Sequence, residues 1–170
     1  MRPRLNRGIS NLVISLEPCI IRALLREVVL TIILQHQPDN ITCVSACAAM
    51  LMGRPVDTVV DEFHDDFQNF YIELDSYLTK HGVHIKRTVN RQFLDHGKVY
   101  VLLVPSLNSP AHFHQVLADT RGGKVTIYDP ARKGCQRYVG PGQALKPGET
   151  EIITWVIDYE VICAPAIGVE

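Results

Sequence analysis

The sequence predicts an α+β domain in which helices come first and pack on a C-terminal antiparallel β-sheet. Three observations predict it. Between residues 43 and 81 the apolar residues recur at helical spacing and are punctuated by glycine and proline. From residue 98 onward the apolar runs are short and β-branched, as in Lys-Val-Tyr-Val-Leu-Leu-Val at 98–104. Two of these later runs are joined by Thr120-Arg121-Gly122-Gly123, a hairpin signal because paired glycines tolerate positive φ.

Composition agrees with a folded domain. The chain has 170 residues, of which 46% are hydrophobic and 21% charged, enough for one domain with a core and too apolar for disorder. Seventeen basic against 18 acidic residues leave a formal net charge of -1, without the electrostatic footprint of a nucleic-acid binder. No uninterrupted apolar run reaches membrane-spanning length. The N-terminus starts basic and turns apolar as a signal peptide does, but Glu17, Arg22, Arg26 and Glu27 interrupt it. No Gly-x-x-x-x-Gly-Lys-Ser/Thr run is present, so no ATP-driven transporter is expected. The five cysteines (Cys19, Cys43, Cys47, Cys135, Cys163) are scattered without a Cys-x-x-Cys pair. That argues against a zinc ribbon or a disulfide framework, and for a reducing, cytoplasmic compartment.

In order, the spacing predicts a short helix at Ile20–Arg26, then a strand at Val28–Leu34. Residues 1–34 are thus expected to form an extension to a domain at 35–170. Pro38-Asp39-Asn40 makes a turn, and Thr42 or Asn40 caps a helix that runs from Cys43 to Met52 and stops at Gly53-Arg54-Pro55. Val56–Phe63 and Tyr71–His81 follow as helices, then a strand at Val83–Thr88 and one helical turn at Gln92–His96. The strands Lys98–Val104, Phe113–Asp119, Lys124–Tyr128 and Glu151–Val161 complete the sheet.

The chemistry centres on Cys43. A thiol at a helix start lies where backbone N–H groups point outward, which favours the thiolate. A thiolate nucleophile needs a base, and the base needs an orienting acceptor. His112 and His114 stand two apart on one strand and share a face, and Asp129 ends the partner strand of the hairpin. His114 is favoured, because Val116 then takes the core position two residues on; His112 is the alternative base. Cys47, one helical turn after Cys43, reads as buried packing. A metal site made by Cys43, His112 and His114 is a rival, but the ligand spacing is poor for structural zinc.

The order Gln37, Cys43, His114, Asp129 resembles papain-like cysteine peptidases, in particular the small bacterial kind that processes double-glycine leader peptides. In that family a glutamine six residues before the nucleophile helps form the oxyanion hole, and Gln37 has that spacing to Cys43; Gln35 fits less well. Cys43-Val-Ser-Ala-Cys47-Ala-Ala-Met50 is similar to the family's helix, and His81-Gly82-Val83, Val104-Pro105-Ser106-Leu107-Asn108 and Asp129-Pro130 are similar to its later junctions. The resemblance covers residues 35–135. Val44 stands where the family often has glycine, and Gln115 where an aromatic usually follows the histidine.

The resemblance implies a peptide or protein substrate, a thioester acyl-enzyme, and no metal or organic cofactor. Cys43 would attack, His114 would move the proton, Asp129 would orient the ring, and Gln37 with the Cys43 N–H would hold the oxyanion. The same residues could serve a deamidase, transglutaminase or acyltransferase, or sit in a non-catalytic binding module.

Overall fold

The computed structural model describes residues 30–164. They form a mixed α+β fold, a helix cluster packed against an antiparallel sheet. The helices are α1 (Cys43–Met52), α2 (Val56–Val59), α3 (Asp65–Gln68) and α4 (Leu74–Lys80), with a π-helical turn at Val60–His64 between α2 and α3. The strands are β1 (His84–Lys86), β2 (Val99–Pro105), β3 (Phe113–Asp119), β4 (Thr126–Tyr128), β5 (Arg137–Val139), β6 (Glu149–Glu151) and β7 (Val156–Cys163). The main sheet has the order β1-β7-β2-β3-β4, with every neighbouring pair antiparallel. A separate parallel pair, β5-β6, lies beyond it.

Helix α1 is the axis of the fold. Its sequence is apolar on all sides, and residues Ser45 to Met52 are all buried, as a helix with no polar face requires. Its alanines allow close approach to β3, where the Cys47 thiol donates to the Gln115 carbonyl at 3.4 Å. Gly53 ends the helix at φ 65, a left-handed conformation that glycine adopts without penalty.

The sheet carries apolar side chains on both faces. One face meets the helices through Val99, Val101 and Leu117, which pack with Met50, Leu51, Phe63 and Leu78. The other meets β5 and its neighbours through Tyr100, Leu102, Val104 and Val116. A fully buried Met50 or Leu51 stabilises by roughly 1.5–3 kcal/mol. Leu30 and Ile32 are buried in the helix-side core, so residues 30–32 pack on the domain.

Several expected elements differ. Residues 30–34 are irregular, so the strand at Val28–Leu34 is absent where described; its first two residues and the helix at Ile20–Arg26 lie outside the described residues. The second helix continues past Phe63 by inserting the π turn and running on to Gln68. It ends where Phe70 turns to φ 59, and this delays the next helix to Leu74. Residues 92–96 form no helical turn: the Asn90 side chain accepts the N–H groups of Gln92 and Phe93, and this local turn takes up the donors. The strand expected at Glu151–Val161 is broken after Glu151, because Glu149–Glu151 pairs with β5 while Val156–Cys163 joins the main sheet. An alternating pattern does not show a chain changing sheets.

Among the described residues no single helix is long and apolar enough to cross a membrane.

Candidate active site

Cys43 is the first residue of α1, half-buried, at the end of the turn 37–42. The turn is built by Asp39. Its carboxylate Oδ1 accepts the N–H of Ile41 at 2.8 Å, the N–H of Thr42 at 3.0 Å and the Thr42 hydroxyl at 2.9 Å. Neither Thr42 nor Asn40 caps α1 as expected; Thr42 makes no side-chain cap, and its hydroxyl is spent on Asp39. No side-chain oxygen of the N-cap residue therefore covers the first turn at Cys43.

His114 is the second residue of β3 and is buried. Its Nε2 lies 2.7 Å from Asp129 Oδ1. This leaves Nδ1 as the ring atom available to a thiol. The charge of the Cys43 thiol favours the protonated form of the same imidazole. Burial alone would pull the imidazole pKa down, but Asp129 and Cys43 outweigh it and hold the value up at about 9.

Asp129 is itself fixed on three sides. Oδ1 also accepts the Ala131 N–H at 2.8 Å, and Oδ2 accepts the Tyr138 N–H at 2.6 Å. It follows β4 directly, one residue past the Leu117–Tyr128 pairing that sets the hairpin register. The hairpin thus brings the carboxylate to the histidine strand, and β5 closes over it through Tyr138. The Tyr138 hydroxyl donates in turn to the Pro105 carbonyl at 2.8 Å.

Gln37 is buried against the same corner. Its backbone N–H donates to the Pro130 carbonyl at 2.7 Å, and its Nε2 donates to the Asp39 carbonyl at 2.6 Å. A primary amide has a second N–H hydrogen. The Gln37 Oε1 is buried and unpartnered. His36 runs alongside, with Nδ1 at 2.6 Å from the Ala131 carbonyl.

The alternatives are placed elsewhere. His112 precedes β3, is exposed, and turns its Nδ1 to the Pro110 carbonyl at 2.9 Å. Gln35 joins the end of α1 to the start of α2: its Nε2 donates to the Arg54 carbonyl at 2.7 Å and its Oε1 accepts the Val56 N–H at 2.8 Å. Cys47 is fully buried, and burial, followed by the charges of Cys43 and Asp129, pushes its thiol well above the usual range. Among the described residues no group of three His, Cys, Asp or Glu side chains is placed to hold a metal ion, the set Cys43, His112 and His114 included.

Cys43, Cys47 and Cys135 are free thiols.

Sequence reading missed the groups that hold the site. Asp39 was legible as the first residue of an Asx turn, with N–H groups two and three residues on. The Tyr138 and Ala131 N–H groups left no signal, because a backbone donor has no residue type.

No family model, no curated protein and no solved structure matches the chain.

Proposed function

We propose that the chain is a papain-like cysteine peptidase that hydrolyses a peptide bond through a thioester on Cys43. The observation that carries the proposal is the imidazole of His114, held by Asp129 at 2.7 Å and acted on by the Cys43 thiol. A protonated His114 stabilises the thiolate beside it and is already loaded to act as an acid.

The thiolate sulfur attacks the substrate carbonyl carbon. The oxyanion forms near the Cys43 N–H and the second amide hydrogen of Gln37. As the tetrahedral intermediate collapses, the C–N bond breaks and His114 gives its proton to the leaving amine. Neutral His114 then takes a proton from water, the hydroxide attacks the thioester carbonyl, and the C–S bond breaks to restore the thiolate and imidazolium. Asp129, fixed by two backbone donors, holds Nε2 and thereby keeps Nδ1 toward the sulfur.

The test is a mixture of unlabelled peptides incubated with the protein. New amino termini should form with the native chain and be absent with Cys43→Ala. Ammonia release or amine incorporation at glutamine, without new termini, would assign deamidase or transglutaminase chemistry instead. Unchanged turnover in Cys43→Ala would remove the nucleophile assignment.

A further inference from the structure

The turn before α1 is docked on the loop that follows Asp129. The Gln37 N–H donates to the Pro130 carbonyl at 2.7 Å, and Arg132 Nη1 donates to Asn40 Oδ1 at 3.4 Å. One side chain sets the shape of the turn. Asp39 Oδ1 accepts the Ile41 N–H at 2.8 Å, the Thr42 N–H at 3.0 Å and the Thr42 hydroxyl at 2.9 Å. Burial alone would raise the Asp39 carboxyl, but the donors of Ile41 and Thr42 outweigh it and hold it below its usual range. At neutral pH Asp39 is thus a carboxylate, which accepts hydrogen bonds and donates none.

Two effects of Asp39 reach the reacting groups. The first concerns the peptide that carries the Cys43 N–H. On one side Thr42 is tied to Asp39 through both its N–H and its hydroxyl. On the other, the Thr42 carbonyl accepts the Ala46 N–H at 3.0 Å and so points into the helix. A trans peptide is planar, so the Cys43 N–H points the opposite way, out of the start of α1. With the Thr42 hydroxyl held by Asp39, no side-chain cap is made there.

The second effect concerns Gln37. Its Nε2 donates to the Asp39 carbonyl at 2.6 Å, which fixes the orientation of the amide. Turned over, the amide oxygen would face another acceptor. In the orientation adopted, the Gln37 Oε1 is buried without a partner, which is costly. The fold keeps this cost and with it an NH2 group on the turn, of which the Asp39 carbonyl uses one hydrogen.

We propose that Asp39 is the positioning residue of the oxyanion site: its Oδ1 fixes the peptide that presents the Cys43 N–H, its carbonyl fixes the Gln37 amide, and it touches no substrate itself. This assignment rests on the cysteine peptidase reading, which places an oxyanion beside these two donors. It predicts a defect confined to steps in which an oxyanion forms. Iodoacetamide provides a step without one: the sulfur–carbon bond forms at a tetrahedral carbon as iodide leaves. p-Nitrophenyl acetate provides a step with one: the sulfur adds to the carbonyl carbon, the oxygen takes the charge, and p-nitrophenolate leaves as the carbonyl re-forms.

The experiment measures both rates at Cys43 in the native chain, Asp39→Ala and Asp39→Asn, each corrected by the same protein carrying Cys43→Ala. In Asp39→Ala the ratio of acylation to alkylation should fall about tenfold or more, with alkylation itself within about twofold of native. Asparagine keeps an acceptor oxygen and supports the same turn, so Asp39→Asn should restore the ratio to within about threefold of native. Both rates come from one protein sample, so loss of folded material in a variant cancels from the ratio. An unchanged ratio in Asp39→Ala would overturn the proposal and leave the cysteine reading standing. A parallel fall of both rates would overturn it too, because Asp39 would then support the thiolate and not the oxyanion. So would an Asp39→Asn protein as impaired as Asp39→Ala, or a native Cys43 that is alkylated but not acylated. If the native chain and Cys43→Ala react alike with both reagents, the cysteine reading falls and this proposal with it.

Discussion

Asp129→Asn isolates the charge that sets the histidine. The substitution keeps the side-chain shape but removes the carboxylate that contacts His114 at 2.7 Å. It also replaces one of two oxygens with a donor, although both accept backbone N–H groups, from Ala131 and Tyr138. Native His114 stands at about 9, against an ordinary value of 6.5. At roughly 1.4 kcal/mol per pH unit this displacement corresponds to about 3 kcal/mol. Without the carboxylate, burial and the Cys43 thiol pull in opposite directions, and His114 should return to ~6.5. At pH 8 the protonated fraction then falls from about 0.9 to about 0.03, so alkylation of Cys43 through the ion pair should drop about thirtyfold. Stability follows the same linkage. A histidine whose pKa is raised by folding stabilises fully below about 6.5, and the contribution is lost as pH rises through about 9. The destabilisation by Asp129→Asn should therefore be largest near pH 6 and smaller by about 3 kcal/mol near pH 10. The assay is an NMR titration of the His114 ring in both proteins, with denaturant melts at the two pH values. A variant in which His114 still titrates near 9 would refute the reasoning, because the carboxylate would then not be the group that raises it.

Other outcomes follow from the same geometry. Gln37→Ala should lower kcat on a cleaved peptide roughly 10²-fold with little change in KM, checked by steady-state kinetics; an unchanged kcat would remove Gln37 from the oxyanion site. His112→Ala should change turnover by less than about twofold, since the ring is exposed and turned to Pro110. Phe63→Ala should cost about 3–5 kcal/mol in a denaturant melt, because the ring is buried and stacks on Tyr77 at 4.4 Å. Substrate turnover should decline as pH rises through about 9, where His114 loses the proton it gives to the leaving amine.

The parts of the fold legible in the sequence were those with local causes. Helix α1 was bounded by Cys43 and by Gly53, whose left-handed conformation stops it. Strand β3 was read to the residue, because β2 and β4 flank it and the hairpin glycines fix its end. His114 and Asp129 could be placed together because the hairpin register is a short-range property. What was hidden has long-range causes. The pairing of Arg137–Val139 with Glu149–Glu151 decides where the last strand breaks. The Tyr138 N–H that fixes Asp129 arrives on that same strand. Gln35 resembled a site residue by type, but its amide is consumed by two backbone groups at a helix–helix junction. The π turn at Val60–His64 extended a helix that apolar spacing had ended at Phe63.

The central claim is that Cys43 is a nucleophile activated by His114. Its most direct test is the rate of iodoacetamide alkylation at neutral pH, mapped to individual cysteines and compared with His114→Ala. Cys43 should react much faster than the half-buried Cys135 in the same molecule, buried Cys47 should stay unlabelled, and His114→Ala should abolish the advantage of Cys43. Equal rates at Cys43 and Cys135, unaltered by His114→Ala, would contradict it.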